Sequence, residues 1–181
     1  MGHLADKGFP APQPIAARDG EALRTIHGKP AVIVTFLQGM SPRRPSVDQC
    51  RAMGEGLARF HAPLADFRMR RPNDLSLPAW TAMFEGREAQ ADAMSSGLSA
   101  LIRDDLETLR ANWPKNLPAG AIHADLFPDN AFFLNDRLSG VIDFYFACTD
   151  FLSYDLAVCL NAWAFERGGE FNLTKGRAMI A

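Results

Sequence analysis

The sequence predicts an α+β fold, on three observations. Two long stretches repeat apolar residues at every third or fourth position, the spacing of an amphipathic helix. Short apolar segments, bounded by turn residues, flank that helical middle and have the length and composition of strands. Proline falls between the periodic segments rather than inside them.

Taken in order, Met1 to Gly8 reads as the end of a helix, with Gly8 as its stop. Pro10, Pro12 and Pro14 then hold the chain extended. Asp19-Gly20 signals a turn. A strand over Arg24 to His27 is expected to turn at Gly28-Lys29-Pro30 and return as a strand over Ala31 to Leu37. Gln38-Gly39 ends it, and Pro42 and Pro45 keep the next stretch irregular. Ser46 to Gln49 has the Ser-x-x-Gln form of a capping box. The helix it opens, Val47 to His61, places Val47, Cys50, Met53, Leu57 and Phe60 on one face, and Pro63 stops it. Residues 66–80 carry prolines and arginines and read as loop. One long helix is expected over Ala89 to Asn112, with a stripe of Leu98, Ile102, Leu106, Leu109 and Trp113. Short apolar segments follow at Ala121-Ile122-His123, Ala131 to Leu134 and Leu138 to Ile142, the last two joined by a hairpin turn at Asn135-Asp136-Arg137. Ser153 opens a helix carrying Leu156, Leu160 and Trp163, with Gly168-Gly169 as its end. Leu173 to Ala181 reads as the first turns of another.

Composition narrows the function. The chain has 181 residues, 48% hydrophobic and 22% charged, with a formal net charge of -2. That is the composition of a soluble globular protein with no electrostatic footprint for nucleic acid or an anionic membrane. No apolar run approaches a membrane span, and no signal-peptide pattern opens the chain. The three cysteines, Cys50, Cys148 and Cys159, are odd in number and lack CxxC spacing, so a reducing cytoplasmic setting is expected.

One constellation carries chemistry. His123 stands two residues before Asp125, Asn130 five after it, and Asp143 lies at the end of the returning hairpin strand. Phosphoryl transfer asks for a base at the attacking hydroxyl and for hard oxygen ligands that hold Mg2+ against phosphates. A carboxylate on a loop after a short strand can reach the hydroxyl. An amide oxygen just beyond it, and a carboxylate returned to the same end by a hairpin, can meet at one cation. Asp-x-x-x-x-Asn alone is a chance pattern. His-x-Asp before it and Ile-Asp-Phe after the hairpin give it specificity.

His123-Ala124-Asp125-Leu126-x-x-x-Asn130 followed by Ile142-Asp143-Phe144 resembles the catalytic and metal-binding loops of the aminoglycoside phosphotransferase and choline kinase superfamily, relatives of protein kinases. The longer string HADLFPDNAFFLNDRLSGVIDFYFACTDFLSYDLAVCLNAW is similar to the branch that phosphorylates L-homoserine for threonine biosynthesis. The resemblance implies a protein-kinase-like fold: residues 1–38 as the remnant of an N-lobe ending at the interlobe hinge, and 39–181 as a mostly helical C-lobe, cut short at its C-terminus, carrying the catalytic hairpin. It implies ATP and Mg2+ as cofactors, a small-molecule hydroxyl as acceptor, Asp125 as base, and Asn130 and Asp143 as metal ligands. The backbone at Phe36, Leu37 and Gln38 would meet the adenine, and His123 and Asp155 would support the catalytic loop.

The departures also speak. Ala124 stands where protein kinases have Arg, Phe144-Tyr145 lacks the following Gly, and the run from Asp143 to Asp155 is short. All three favour a small acceptor over a peptide. No Gly-rich phosphate loop and no strand lysine is present, so the sequence is expected to be a piece of a longer chain, to bind ATP poorly alone, and to self-associate through uncovered surfaces.

Plainer readings stand beside these. His123 is read first as a structural histidine bonded to loop backbone, and His61 likewise. Asp129 is read as a turn residue. Asp155 divides between helix capping and loop support. Phe127, Phe132, Phe133, Phe144, Tyr145 and Phe146 are expected in the core. Arg43, Arg44, Arg68, Arg70 and Arg71 are expected to be solvated. Three alternatives remain open: a choline, ethanolamine or aminoglycoside phosphotransferase, a non-catalytic kinase lobe, and a metal-dependent hydrolase built on His123, Asp125 and Asp129.

Overall fold

Residues 1–181 are described by a computed structural model, and they divide into two compact units. One comprises Met1–Arg71 and Pro118–Ala181, the other Pro72–Leu117.

The first unit opens with α1 (Gly2–Asp6), which stops at Gly8, where φ is +78°. A hairpin of β1 (Leu23–Ile26) and β2 (Lys29–Val32) follows. Ile26 pairs with Lys29, so the turn is His27-Gly28, one residue earlier than expected. Both turn residues have positive φ, 49° and 77°, as a primed hairpin turn requires. The strand expected over Ala31 to Leu37 is also shorter. Beyond Val32 its neighbour is the proline segment, where Pro14 has no N–H to give, and pairing shrinks to a bridge at Val34. Helix α2 (Val47–His61) has the expected bounds. Its start is a full capping box: Gln49 N donates to Ser46 Oγ at 3.1 Å, and Ser46 N to Gln49 Oε1 at 3.0 Å. Cys50, Met53, Leu57 and Phe60 are buried, as the spacing predicts.

The second unit is three helices: α3 (Leu77–Phe84), α4 (Glu88–Met94) and α5 (Leu98–Asn112). Helix α3 begins inside the stretch read as loop. Its proline, Pro78, sits in the first turn, where a missing N–H costs nothing. The single helix expected from Ala89 is broken at Gly97, whose φ of +82° no helix continues. Asp92 fastens the break, accepting from Ser99 N at 2.9 Å and Ser99 Oγ at 2.7 Å. Trp80 and Trp113 meet edge to face at 5.9 Å and tie α3 to the end of α5.

Back in the first unit, β3 (Ala119–Ile122) is followed by the hairpin of β4 (Ala131–Leu134) and β5 (Arg137–Val141). Asn135 and Asp136 make its turn, both with positive φ. A strand that the sequence does not announce, β6 (Cys148–Phe151), pairs antiparallel with β3. Helices α6 (Leu152–Trp163) and α7 (Leu173–Ile180) complete the unit. Helix α6 ends at Trp163, ahead of the expected glycine pair. The core joins one face of α2 to Leu126, Phe133, Val141, Cys159, Trp163 and Met179.

Helix α2 crosses α7 at Gly54, where an added Cβ would collide with the main-chain oxygen of Met179. Alanine would gain about 1 kcal/mol of helix propensity there. Overpacking against backbone costs about 1–3 kcal/mol and dominates. Gly54→Ala is therefore expected to lower the urea midpoint at an unchanged m-value.

Candidate active site

The loop between β3 and β4 is held from below by Asp155, in the first turn of α6 and 0% exposed. Its Oδ2 accepts from His123 N at 2.9 Å and from the His61 ring at 2.8 Å, and its Oδ1 accepts from Ala124 N at 2.6 Å. Ala124 has φ +64°, a strained conformation for a residue with a Cβ, and the contact with Asp155 holds it there. Further along, the Leu126 carbonyl accepts from Trp163 Nε1 at 2.7 Å. The chain is thereby pinned on both sides of Asp125, which itself stays partly exposed.

His123 is wholly buried. Its Nε2 donates to the Ile142 carbonyl at 2.9 Å, and its ring lies 4.9 Å from that of Phe144. It thus ties the loop to the segment that carries Asp143. Its Nδ1 is buried without a hydrogen-bond partner. Burial holds the His123 pKa below its ordinary value, with Asp155 opposing that shift. Unfolded His123 takes a proton as pH falls through about 6.5, while the folded ring resists it. The unfolded chain then binds more protons, so this contribution is full above about pH 6.5 and is lost on acidification, by up to about 1.4 kcal/mol per pH unit. Urea melts between pH 7.5 and 5.5 are expected to show this loss, and a His123→Gln variant a shallower slope.

Asn130 ends the 3-10 turn Pro128–Asn130. Its Nδ2 donates to the Asp125 main-chain oxygen at 2.8 Å and to Asp125 Oδ2 at 3.0 Å, which leaves the amide oxygen as its remaining polar atom. Its own carbonyl accepts from Ile142 N at 2.9 Å, the bond by which the hairpin brings Asp143 back beside it. Asp143 is exposed at φ +60° and accepts from Tyr145 N at 3.3 Å. Desolvation raises the Asp125 pKa, partly offset by His123 and the Asn130 amide.

Asp143 also lines a cavity of about 570 Å³ with Val34, Phe36, Leu37, Phe132 and Phe144. Phe36 and Leu37 thus share a cavity with Asp143, and no internal hydrogen bond uses their main-chain groups. Gln38 does not line it, and its carbonyl is taken by Ser139 Oγ at 2.7 Å. No three His, Cys, Asp or Glu side chains converge as a metal site, so the geometry supplies no ligand set for the hydrolase reading. Of the aromatic group expected in the core, Phe127 and Tyr145 are exposed.

The sequence read His61 as structural but not its partner, which is the Asp155 carboxylate. Arg71, expected to be solvated, donates from Nη1 to the Tyr145 carbonyl at 2.5 Å and the Ala147 carbonyl at 3.3 Å, bracing the chain beyond Asp143.

This fold and loop arrangement define a class. The chain matches the phosphotransferase enzyme family over residues 1–179 and belongs to it. Its kinase-like fold is that of an aminoglycoside-3'-phosphotransferase of type VIII (TM-score 0.69, 19% identity, 98% of this chain and 67% of that one). It is also that of an amicoumacin kinase in complex with AMP-PNP and Ca2+ (TM-score 0.76, 13% identity, 99% and 57%). Among curated proteins, the chain is 58% identical over its full length to a homoserine kinase of Xanthobacter autotrophicus and 59% identical to one of a Methylobacterium species. It spans 56% of the length of each. No helix is long and apolar enough to cross a membrane, and the three cysteines are buried and form no disulfide.

Proposed function

We propose that this chain carries the catalytic and metal-binding half of an ATP-dependent kinase that phosphorylates the hydroxyl of a small molecule, L-homoserine. The observation that carries the reading is the Asp125–Asn130 pair, bonded at 3.0 Å, with Asp143 returned beside it on the rim of the Phe36–Leu37 cavity. The identity of the acceptor rests on the homoserine kinases that the chain resembles.

Asp125 is the base. Its partial desolvation brings its pKa toward the range where a carboxylate accepts a proton usefully. The Asn130 amide occupies Oδ2 and fixes the carboxylate's orientation while the rest stays open to a hydroxyl. Asn130 and Asp143 offer an amide oxygen and a carboxylate, the hard donors Mg2+ takes alongside phosphates, and they would hold it. The ion would draw charge from the phosphate oxygens of bound ATP. The open peptide groups of Phe36 and Leu37 suit the donor and acceptor edge of a purine, and the apolar cavity walls suit its faces. We extend the same reading to partners. Leu23, Ile26, Ile33 and Phe36 are exposed, and this apolar surface favours self-association of the segment, visible as concentration-dependent mass by light scattering.

The test is a substrate panel on a protein extended to the length of its relatives. ADP release is expected with L-homoserine well above that with choline, ethanolamine or kanamycin. Turnover with one of those three and none with L-homoserine would replace the acceptor.

A further inference from the structure

Four cationic side chains that are scattered in the sequence converge on one cavity of about 290 Å³. Arg43 and Arg44 come from the segment after Gln38, Arg167 from the chain beyond α6, and Lys175 from the first turns of α7. Pro128, which opens the turn that ends at Asn130, is part of its wall. The carboxylate present is Glu166, and it is engaged: Lys175 Nζ and Asn172 Nδ2 each donate to its Oε1 at 2.8 Å. The Lys175 hydrogen bond holds the Glu166 carboxyl below the usual range. Arg43, Arg44 and Arg167 make no side-chain hydrogen bond or contact ion pair, and Arg44 acts on the Glu166 carboxylate only through space. Three guanidinium groups of like charge gathered at one concavity repel one another, and a bound anion relieves that repulsion. Their planar forks match the paired oxygens of a carboxylate or phosphate.

We propose that this cavity is a binding subsite for a small oxyanion, a carboxylate or a phosphate, beside the loop that carries Asp125. It excludes a cation such as choline by charge. The site stands whatever acceptor the neighbouring loop serves. Where the anion is the carboxylate of an amino-acid acceptor, the inference rests on the function proposed above.

Isothermal titration of the chain with inorganic phosphate tests it directly. Saturable binding is expected. It should weaken at least tenfold in the Arg43→Gln/Arg44→Gln double variant and in Arg167→Gln, both with unchanged circular dichroism and urea midpoint, since all three side chains are exposed. Competition tells the sources apart. Displacement of phosphate by L-homoserine but not by L-homoserinol, which lacks the carboxylate, identifies the acceptor's carboxylate. Displacement by neither identifies phosphate itself. Absence of saturable phosphate binding, or equal affinity in both variants and the parent, overturns the site without touching the kinase assignment.

Discussion

In a protein extended to the length of its relatives, Asp125→Ala is expected to lower kcat by about 10²–10⁴-fold, the range of a general base removed from its site. The fold should survive the change. Asp125 is partly exposed, and its side chain makes one internal hydrogen bond, to an Asn130 amide that keeps a second partner in the Asp125 main-chain oxygen. The stability cost is therefore about 1 kcal/mol or less. Steady-state ADP release together with urea unfolding separates the two effects. A large fall in kcat at a nearly unchanged midpoint is the expected pattern. Asp125→Asn keeps the shape and the contact with Asn130 but removes the basicity, so it should fall as far as alanine. Activity retained in the Asn variant would assign Asp125 to positioning alone.

Asp155→Ala is expected to reverse that pattern, lowering stability by about 3–5 kcal/mol. Its two carboxyl oxygens accept from two main-chain N–H groups and one imidazole, and the residue is 0% exposed. Alanine strips those donors of their partner where water does not reach, and an unsatisfied buried group costs about 1–3 kcal/mol. Asp155→Asn should recover part of the loss, because its single acceptor can serve one donor while its NH2 faces the others. The damage should concentrate in the loop. Ala124 holds its positive φ against Asp155, and without that anchor the segment carrying Asp125 can relax to an unstrained backbone. Hydrogen exchange at the His123 and Ala124 amides, faster in the variant by orders of magnitude, checks this beside the urea midpoint.

The parts of this structure that were legible in the sequence are those decided locally. Helix α2 could be bounded to the residue because Ser46, Gln49 and the apolar spacing all act within a few positions. The turn at Asn135-Asp136 and the close of α1 at Gly8 were legible for the same reason. What stayed hidden was decided at a distance. Strand β6 has no alternation of its own and exists because β3 lies beside it. The break between α4 and α5 depends on Asp92 reaching Ser99 across Gly97. The triple role of Asp155 joins residues 31, 32 and 94 positions away, and the arginine cavity joins four segments. The constellation of Asp125, Asn130 and Asp143 was recognisable by resemblance. The bonds that assemble it, from Ile142 N to Asn130 and from His123 to Ile142, leave no mark in spacing.

The central claim is that Asn130 and Asp143 hold one divalent cation against a nucleotide. Electron paramagnetic resonance of Mn2+ titrated into the full-length protein with ATP tests it most directly. The account predicts Mn2+ bound in the presence of nucleotide, with at least tenfold weaker binding in Asp143→Asn and in Asn130→Ala, whose urea midpoints stay near the parent's. Equal Mn2+ affinity in parent and both variants would contradict it.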